Sequence, residues 1–219
     1  MTLAEAVSKV LNGMPIHYYM AVDYEGVGNI VDAIGGVWYD VPFHMKYDDT
    51  TKGIEDLHID IPAGRQHLDR ENAVEFLRFR KTNDYYKRQG YHGYPDEDIG
   101  RIKAQQKFME EAFRQALGPQ LPKVVATVLE NVESDLDGKT AFRLATKAAS
   151  LTGDSVTGWT LPGEDHMKGG VSFYFLDEEG VEELLAKVYG QDLSAQGTGE
   201  VKNSGTTYET VDKGLQGNV

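Results

Sequence analysis

Apolar residues along this chain recur with two periods, one helical and one extended, and blocks of the two kinds take turns. Leu3, Ala6, Val7, Val10 and Leu11 fall on one helical face behind a Thr2–Glu5 capping box, and Asn12-Gly13 followed by Pro15 ends that helix. IHYYMAV (16–22) reads as a strand, rich in aromatic and branched residues. Asp23 caps a helix with Val27, Ile30, Val31 and Ile34 inward, closed by Gly35-Gly36. GVWYDVPF follows as a strand, with Pro42 marking an edge or an exit. The segment from Lys46 to Glu55 is polar and turn-rich, and Asp48 and Asp49 read there as turn formers. LHIDIPAG then alternates as a half-buried strand, and Asp69 caps the next helix. Later, LPKVVATVLENV reads as a helix, and Ser134 or Asp135 introduces another through Ala149. SVTGWTLPG and GGVSFYFL read as strands, and Asp177 caps a helix that Gly190 ends. Alternating helices and strands predict an α/β fold: a layered sandwich with a central mixed β-sheet covered by helices on both faces.

From Gln191 the composition shifts to Gly, Ser, Thr, Asn and Gln, which predicts a flexible linker or tail over 191–219. Val201, Val211 and Leu215 there are consistent with the start of a small C-terminal module. The first 190 residues form the predicted domain, large enough to bury about 70% of its unfolded surface without disulfides or metal. The chain has no cysteine, which removes thiol catalysis and cysteine-based zinc sites. Its 22 Lys and Arg against 35 Asp and Glu give a net charge of −13, a field that opposes nucleic acid as a partner. An anionic ligand therefore needs a local cluster of arginines acting against the global charge. No apolar run approaches the roughly 18 residues of a membrane span, and the first residues lack the basic and apolar regions of a signal peptide.

Such a cluster lies between Leu68 and Leu117. Arg78 and Arg80 stand two apart, about 200° apart on a helix but on one face of an extended chain. If the helix from Arg70 ends near Leu77, LRFRK is a short strand with both guanidiniums together; otherwise the pair is the solvated basic end of a helix. The following helix has its inward face marked by Ile102, Met109, Ala112, Phe113 and Ala116. Asp98, Arg101 and Gln105 occupy that same face one and two turns earlier, where buried charge costs several kcal/mol per ion (order of magnitude) unless paired or bound. Asp98 is also the expected N-cap of this helix, and an internal Asp98–Arg101 pair is the plainer explanation. Three converging arginines suit phosphate or pyrophosphate better than a metal, because a guanidinium fork meets phosphate oxygens two at a time. Between the two arms lies a loop with Tyr85, Tyr86, Tyr91, His92 and Tyr94, readable as a solvated turn or as rings that stack on sugars. The six histidines show no paired ligand spacing, and no Gly-rich phosphate loop or nucleophile elbow is present.

In VDYEGVGNIVDAIGGVWYDVPF, LHIDIPAGRQHLDRENAVEFLRFRK and DIGRIKAQQKFMEEAF, the chain resembles the LytR-CpsA-Psr family of bacterial cell-envelope enzymes, over about residues 3 to 190. The resemblance implies a membrane-anchored, extracytoplasmic phosphotransferase. It would attach a glycopolymer of the wall teichoic acid or capsule type, carried on undecaprenyl pyrophosphate, to peptidoglycan. It further implies that Arg78 and Arg80 match the family's R-x-R pair and grip the pyrophosphate. Asp98, Arg101 and Gln105 would match its D-x-x-R-x-x-x-Q helix. Arg101 then neutralises phosphate charge, Gln105 hydrogen-bonds it, and Asp98 orients an arginine or acts near the acceptor hydroxyl. Magnesium is implied on the pyrophosphate, but its aspartate ligands and the anchor belong to an N-terminal half with no counterpart in this sequence. The chain is thus expected to lack N-terminal strands and to be inactive in isolation, meeting the membrane only through its lipid substrate or a missing anchor. The alternative is a non-catalytic module that binds polyprenyl phosphate or wall polymer, or regulates.

Overall fold

The computed structural model describes residues 2–51, 56–148, 150–152 and 155–190. The expected tail over 191–219, and the Ala149 end of the helix expected after residue 134, lie outside the described residues. The chain divides into two compact units, one spanning residues 16–161 and the other residues 1–15 with 162–219.

In the larger unit, helix α2 (Tyr24–Ile34) starts where Asp23 accepts from the Gly26 amide and ends at Gly35 in the left-handed conformation, as the sequence predicts. Strand β2 (Val37–Val41) pairs antiparallel with β5 (Gly64–Leu68), and β3 (Met45–Asp49) with β4 (Leu57–Ile61). Helix α3 (Arg70–Arg78), capped by Asp69, packs on β4 and β5, and the long helix α5 (Glu97–Ala116) packs on β2. Burial alternates along β2: Val37, Tyr39 and Val41 point into the core, while Trp38 and Asp40 stay exposed. Phe76 of α3 fills the gap between sheet and helices, its ring 4.8 Å from Tyr39 and 5.5 Å from Phe108 of α5. Met45, Ile59, Ile61, Leu68 and Phe79 complete this core. A smaller apolar cluster joins Ala33 of α2, Ala116 of α5 and Val124 of α6 (Leu121–Asn131).

The α/β class is the one predicted. Its strands are disposed differently from the expected central mixed sheet: among the described residues they form four two-stranded antiparallel ladders, β1 (Met20–Ala21) with β6 (Glu133–Ser134), β2 with β5, β3 with β4, and β7 (Gly163–Lys168) with β8 (Val171–Leu176). The outward residues of β2 and β4 are exposed, so helices cover one face of these ladders, the arrangement that alternation of apolar and polar residues dictates. The free edge of β2 is closed by a side chain: Gln115 of α5 accepts from the Trp38 amide at 2.8 Å and donates to the Trp38 carbonyl at 3.0 Å. That substitutes for a ladder partner and blunts the edge.

Several expectations are corrected. IHYYMAV contributes only a two-residue strand, β1 (Met20–Ala21), paired with β6 (Glu133–Ser134); its side chains lack a covering layer and stay about half exposed. Lys46–Asp49 is not a turn but most of β3, and Asp48 lies opposite His58 in β4. SVTGWTLPG is not a strand before Gly163, where α5 side chains bond its backbone in place of a ladder. The Gly158 amide donates to Glu110 at 2.6 Å, and Gln106 donates to the Trp159 carbonyl at 3.0 Å. Helix α7 (Gly138–Ala148) begins at Asp137, which accepts from the Thr140 amide, rather than at Ser134 or Asp135. Those two residues instead hold β1 in place through the Tyr19 backbone.

In the smaller unit, α1 (Leu3–Val10) carries the predicted Thr2–Glu5 capping box. Strands β7 (Gly163–Lys168) and β8 (Val171–Leu176) form a hairpin whose turn, Gly169-Gly170, has φ of 61° and 79°. Positive φ at both central positions is the turn that matches strand twist, and glycine adopts it without a steric penalty. Asp177 caps α8 (Glu178–Tyr189) as predicted, accepting from the Gly180 amide.

Candidate functional site

The two arms of the expected site are the end of α3 and the start of α5, both in the larger unit. Helix α3 runs through Arg78, so LRFRK is not a strand; Phe79 leaves the helix with ψ of 122° because its ring is drawn into the core beside Phe43 and Tyr94. Arg78 and Arg80 therefore leave the backbone on either side of a buried anchor. The Arg78 guanidinium lies 5.2 Å from the centroid of Tyr24 on α2, a cation–π contact. Arg80 reaches the other way, its Nε 3.6 Å from Asp98 Oδ1.

Asp98 is not the N-cap of α5; Asp96 holds that position, without a side-chain cap bond, and Asp98 sits in the first turn. There it serves as a bridge. The same Oδ1 that faces Arg80 receives Arg101 Nη2 at 2.7 Å, so two guanidiniums converge on a single carboxylate oxygen. One turn on, Gln105 donates to the Leu77 carbonyl at 2.8 Å, fastening α5 to the last turn of α3. That carbonyl is one of the C-terminal groups a helix leaves unpaired, which makes it available to a side-chain donor. Arg101 and Gln105 do continue the face that buries Phe108 and Ala112, as the sequence pattern requires; Met109, expected on that face, is 60% exposed.

Two polar atoms of this region are buried with no protein partner: Arg101 Nε and the Tyr94 hydroxyl. A buried unsatisfied donor costs about 1–3 kcal/mol, which a purely structural site would not retain without cause. Tyr94, expected in a solvated turn or among rings that stack on sugars, is instead a core residue packed edge-on to Phe43 at 5.0 Å, and burial pushes its hydroxyl far above the ordinary tyrosine range. It seats α5 through Gly100: a Cβ at that glycine would stand 2.5 Å from Tyr94 Cβ.

The rest of the loop is ordered by the β3–β4 hairpin. Thr82, fully buried, donates to the Lys46 carbonyl at 2.6 Å, and Asn83 donates to the Asp48 carbonyl at 3.0 Å while capping α4 (Asp84–Lys87). The Tyr86 hydroxyl donates to Asp48, whose other oxygen meets His58 Nδ1 at 2.8 Å. Across the hairpin, Asp60 holds Lys46 and His44. These bonds keep both carboxyls below the ordinary carboxylate range, chiefly Tyr86 for Asp48 and Lys46 for Asp60. The sequence did carry a signal for this face, namely charges of opposite sign at alternate positions of the two strands. Tyr24 beneath Arg78 had none. Among the described residues, no three His, Asp or Glu side chains are grouped to hold a metal.

The LytR_cpsA_psr family model matches residues 2–189. The chain is 25% identical over 177 residues to the polyisoprenyl-teichoic acid–peptidoglycan teichoic acid transferase TagV of Bacillus subtilis, covering 80% of this chain and 43% of that protein. It spans about half the length of the curated relatives it matches. The crystal structure of B. subtilis TagV superposes with a TM-score of 0.61 at 22% identity, over 84% of this chain and 66% of that one. TagT bound to LI-WTA gives 0.59 at 20% identity, over 84% and 63%. At such identities the structural likeness establishes the fold.

Proposed function

The chain belongs to the LytR-CpsA-Psr family, and from that premise we propose that it is the arginine-bearing part of an extracytoplasmic phosphotransferase that moves a glycopolymer from a polyprenyl-pyrophosphate carrier to peptidoglycan. The observation that carries this reading is the convergence of Arg80 and Arg101 on one oxygen of Asp98. All three side chains are a third to a half exposed, and ion pairs of that kind contribute only about 0–1 kcal/mol to stability. A structural purpose is therefore a weak explanation for the arrangement. Two forks that already meet at one carboxylate oxygen are spaced to receive a phosphate oxygen in its place.

In the reaction, an acceptor hydroxyl oxygen forms a bond to the phosphorus that carries the glycan. The anhydride bond to the second phosphate breaks, polyprenyl monophosphate leaves, and the hydroxyl proton is released. Arg80 and Arg101 bind the non-bridging oxygens and offset the charge that builds on the leaving phosphate, and Gln105 holds α5 to α3 so that the two forks keep their spacing. Arg78, from the far side of Phe79, extends the cationic surface. Asp98 sets the direction of both guanidiniums and, once phosphate displaces it, faces the acceptor hydroxyl. The described residues do not fit a magnesium site: Asp98 is occupied by two guanidiniums, and no three acidic or histidine groups converge. In the second reading, a module that binds the lipid pyrophosphate or wall polymer without turning it over, Asp98 does no more than set the direction of its two guanidiniums.

Binding of a polyprenyl pyrophosphate to the chain and to an Arg78→Ala, Arg80→Ala double variant tests the shared core of both readings. The double variant is expected to lose about a hundredfold or more in affinity, as charge-assisted phosphate contacts of roughly 1.5–3 kcal/mol each imply. Equal binding by the two proteins sinks the proposal.

A further inference from the structure

The outward face of the β3–β4 hairpin carries a row of four rings. Tyr85 lies 5.0 Å from Tyr86, Tyr86 5.7 Å from Tyr91, and Tyr91 5.0 Å from His44, all edge to face. Lys46 sits over the Tyr86 ring at 5.3 Å, Asp48 accepts from the Tyr86 hydroxyl and meets His58 at 2.8 Å, and Asp60 meets His44 at 2.6 Å. We propose that this face is a saccharide subsite that takes a neutral stretch of glycan. The proposal rests on the transferase reading for the identity of the polymer, but its observations are independent of the arginines.

The choice of ligand follows from the charges. The two hairpin aspartates are already bonded, Asp60 to Lys46 and His44, and Asp48 to His58 and the Tyr86 hydroxyl. A phosphate would meet those two acids, and a cation would have to displace the bases that hold them. What the face offers is aromatic surface and fixed polar groups with capacity to spare, since Tyr85 is 60% exposed and the His58 side chain 62%. Ring faces for the C–H side of a pyranose, with planar donors and acceptors beside them for its hydroxyls, are the features of a neutral sugar site. The face also abuts the arginines along the chain. The loop leaves the site at Arg80 and returns at Asp98, its ends joined by that ion pair, and Thr82 and Asn83 fasten it to β3 just after Arg80.

The test is titration of the whole chain with tetra-N-acetylchitotetraose, a neutral hexosamine tetramer, by calorimetry or amide chemical shifts, with inorganic pyrophosphate titrated in parallel. The tetramer is expected to bind, and its affinity is expected to persist in high salt because no net charge is involved. Tyr85→Ala is expected to weaken it about tenfold or more, as loss of an aromatic anchor does, while Tyr85→Phe, which keeps the ring, retains it. Tyr85 is exposed, so an unchanged melting temperature separates this effect from unfolding. No binding by the unaltered chain, or equal binding by Tyr85→Ala, overturns the subsite. If pyrophosphate binds and the tetramer does not, the subsite falls and the arginine reading stands. If the tetramer binds through Tyr85 and pyrophosphate does not, the subsite stands and the arginine reading falls.

Discussion

Two charged surfaces of the larger unit, the arginine array and the hairpin face, differ in how their charges are matched. On the hairpin, acids and bases meet in complementary cross-strand pairs, Lys46 opposite Asp60 and Asp48 opposite His58. At the array, one carboxylate oxygen is shared by two guanidiniums, and Arg101 keeps a buried Nε with no protein acceptor. The first surface is complete by itself and has rings to offer; the second is where we propose that an external oxygen fits. Matched charge suggests a neutral ligand, and shared charge an anion.

Both surfaces rest on one buried ring, and its removal is expected to have the largest effect. Phe79 is 1% exposed and packs against Phe43 and Tyr94, between the two arginines and at the root of the loop. Phe79→Ala is expected to cost about 3–5 kcal/mol in urea unfolding and to weaken pyrophosphate and saccharide binding together. If one ligand binds unchanged, the two surfaces do not share that support.

Asp98→Asn acts on the arginine array alone. An amide keeps the shape and loses the charge that competes with phosphate, so pyrophosphate affinity is expected to rise several-fold while stability shifts by less than about 1 kcal/mol. Any glycopolymer transfer should fall, since the guanidiniums lose their guide. Weaker pyrophosphate binding in this variant would mean that Asp98 contributes to holding the ligand rather than holding its place.

The smallest effect concerns pH. Asp48 raises the His58 pKa above its ordinary value, with Asp56 and Glu75 acting in the same direction. A raised folded-state value means that the histidine's contribution is fully present below about pH 6.5 and is lost as pH rises through the elevated pKa. The Asp48 pKa is lowered, so its contribution is present above the ordinary carboxylate range and lost as pH falls. Glu75 runs the other way: burial raises its pKa, so its ionisation opposes stability as pH climbs. The melting temperature of His58→Ala relative to the unaltered chain should thus show its deficit in mildly acid solution and lose it above neutrality. A deficit that grows with pH would contradict the pairing.

Much of this was legible in the sequence. The caps Thr2, Asp23, Asp69 and Asp177 were, because a short polar side chain before an apolar period has a specific backbone amide to satisfy. Strands β2, β4 and β8 were, because apolar residues recur along them at strand period or in a run. The strands that escaped, β3, β5 and β7, are their polar partners (MKYDD, GRQHL and GEDHMK), held by backbone ladders that composition does not announce. The α5 face bearing Arg101 and Gln105 was visible as polar groups on an apolar period. The Asp98 bridge to Arg80 was not, because it depends on where Phe79 turns the chain. Tyr24 under Arg78 depends on how α2 packs on α3, a contact 54 residues apart that no local pattern encodes.

If Arg80 and Arg101 form one anion-binding unit, as we propose, their side-chain resonances respond to the ligand as one. With the chain labelled at its arginine side chains, titration with a polyprenyl pyrophosphate in detergent should move the Arg80 and Arg101 Nε signals together, along one binding curve. Arg65, which lies 5.9 Å from the Trp38 ring on the β2–β5 ladder, should stay where it is. Movement of Arg80 and Arg101 along different curves, or equal movement of every arginine, would contradict the claim.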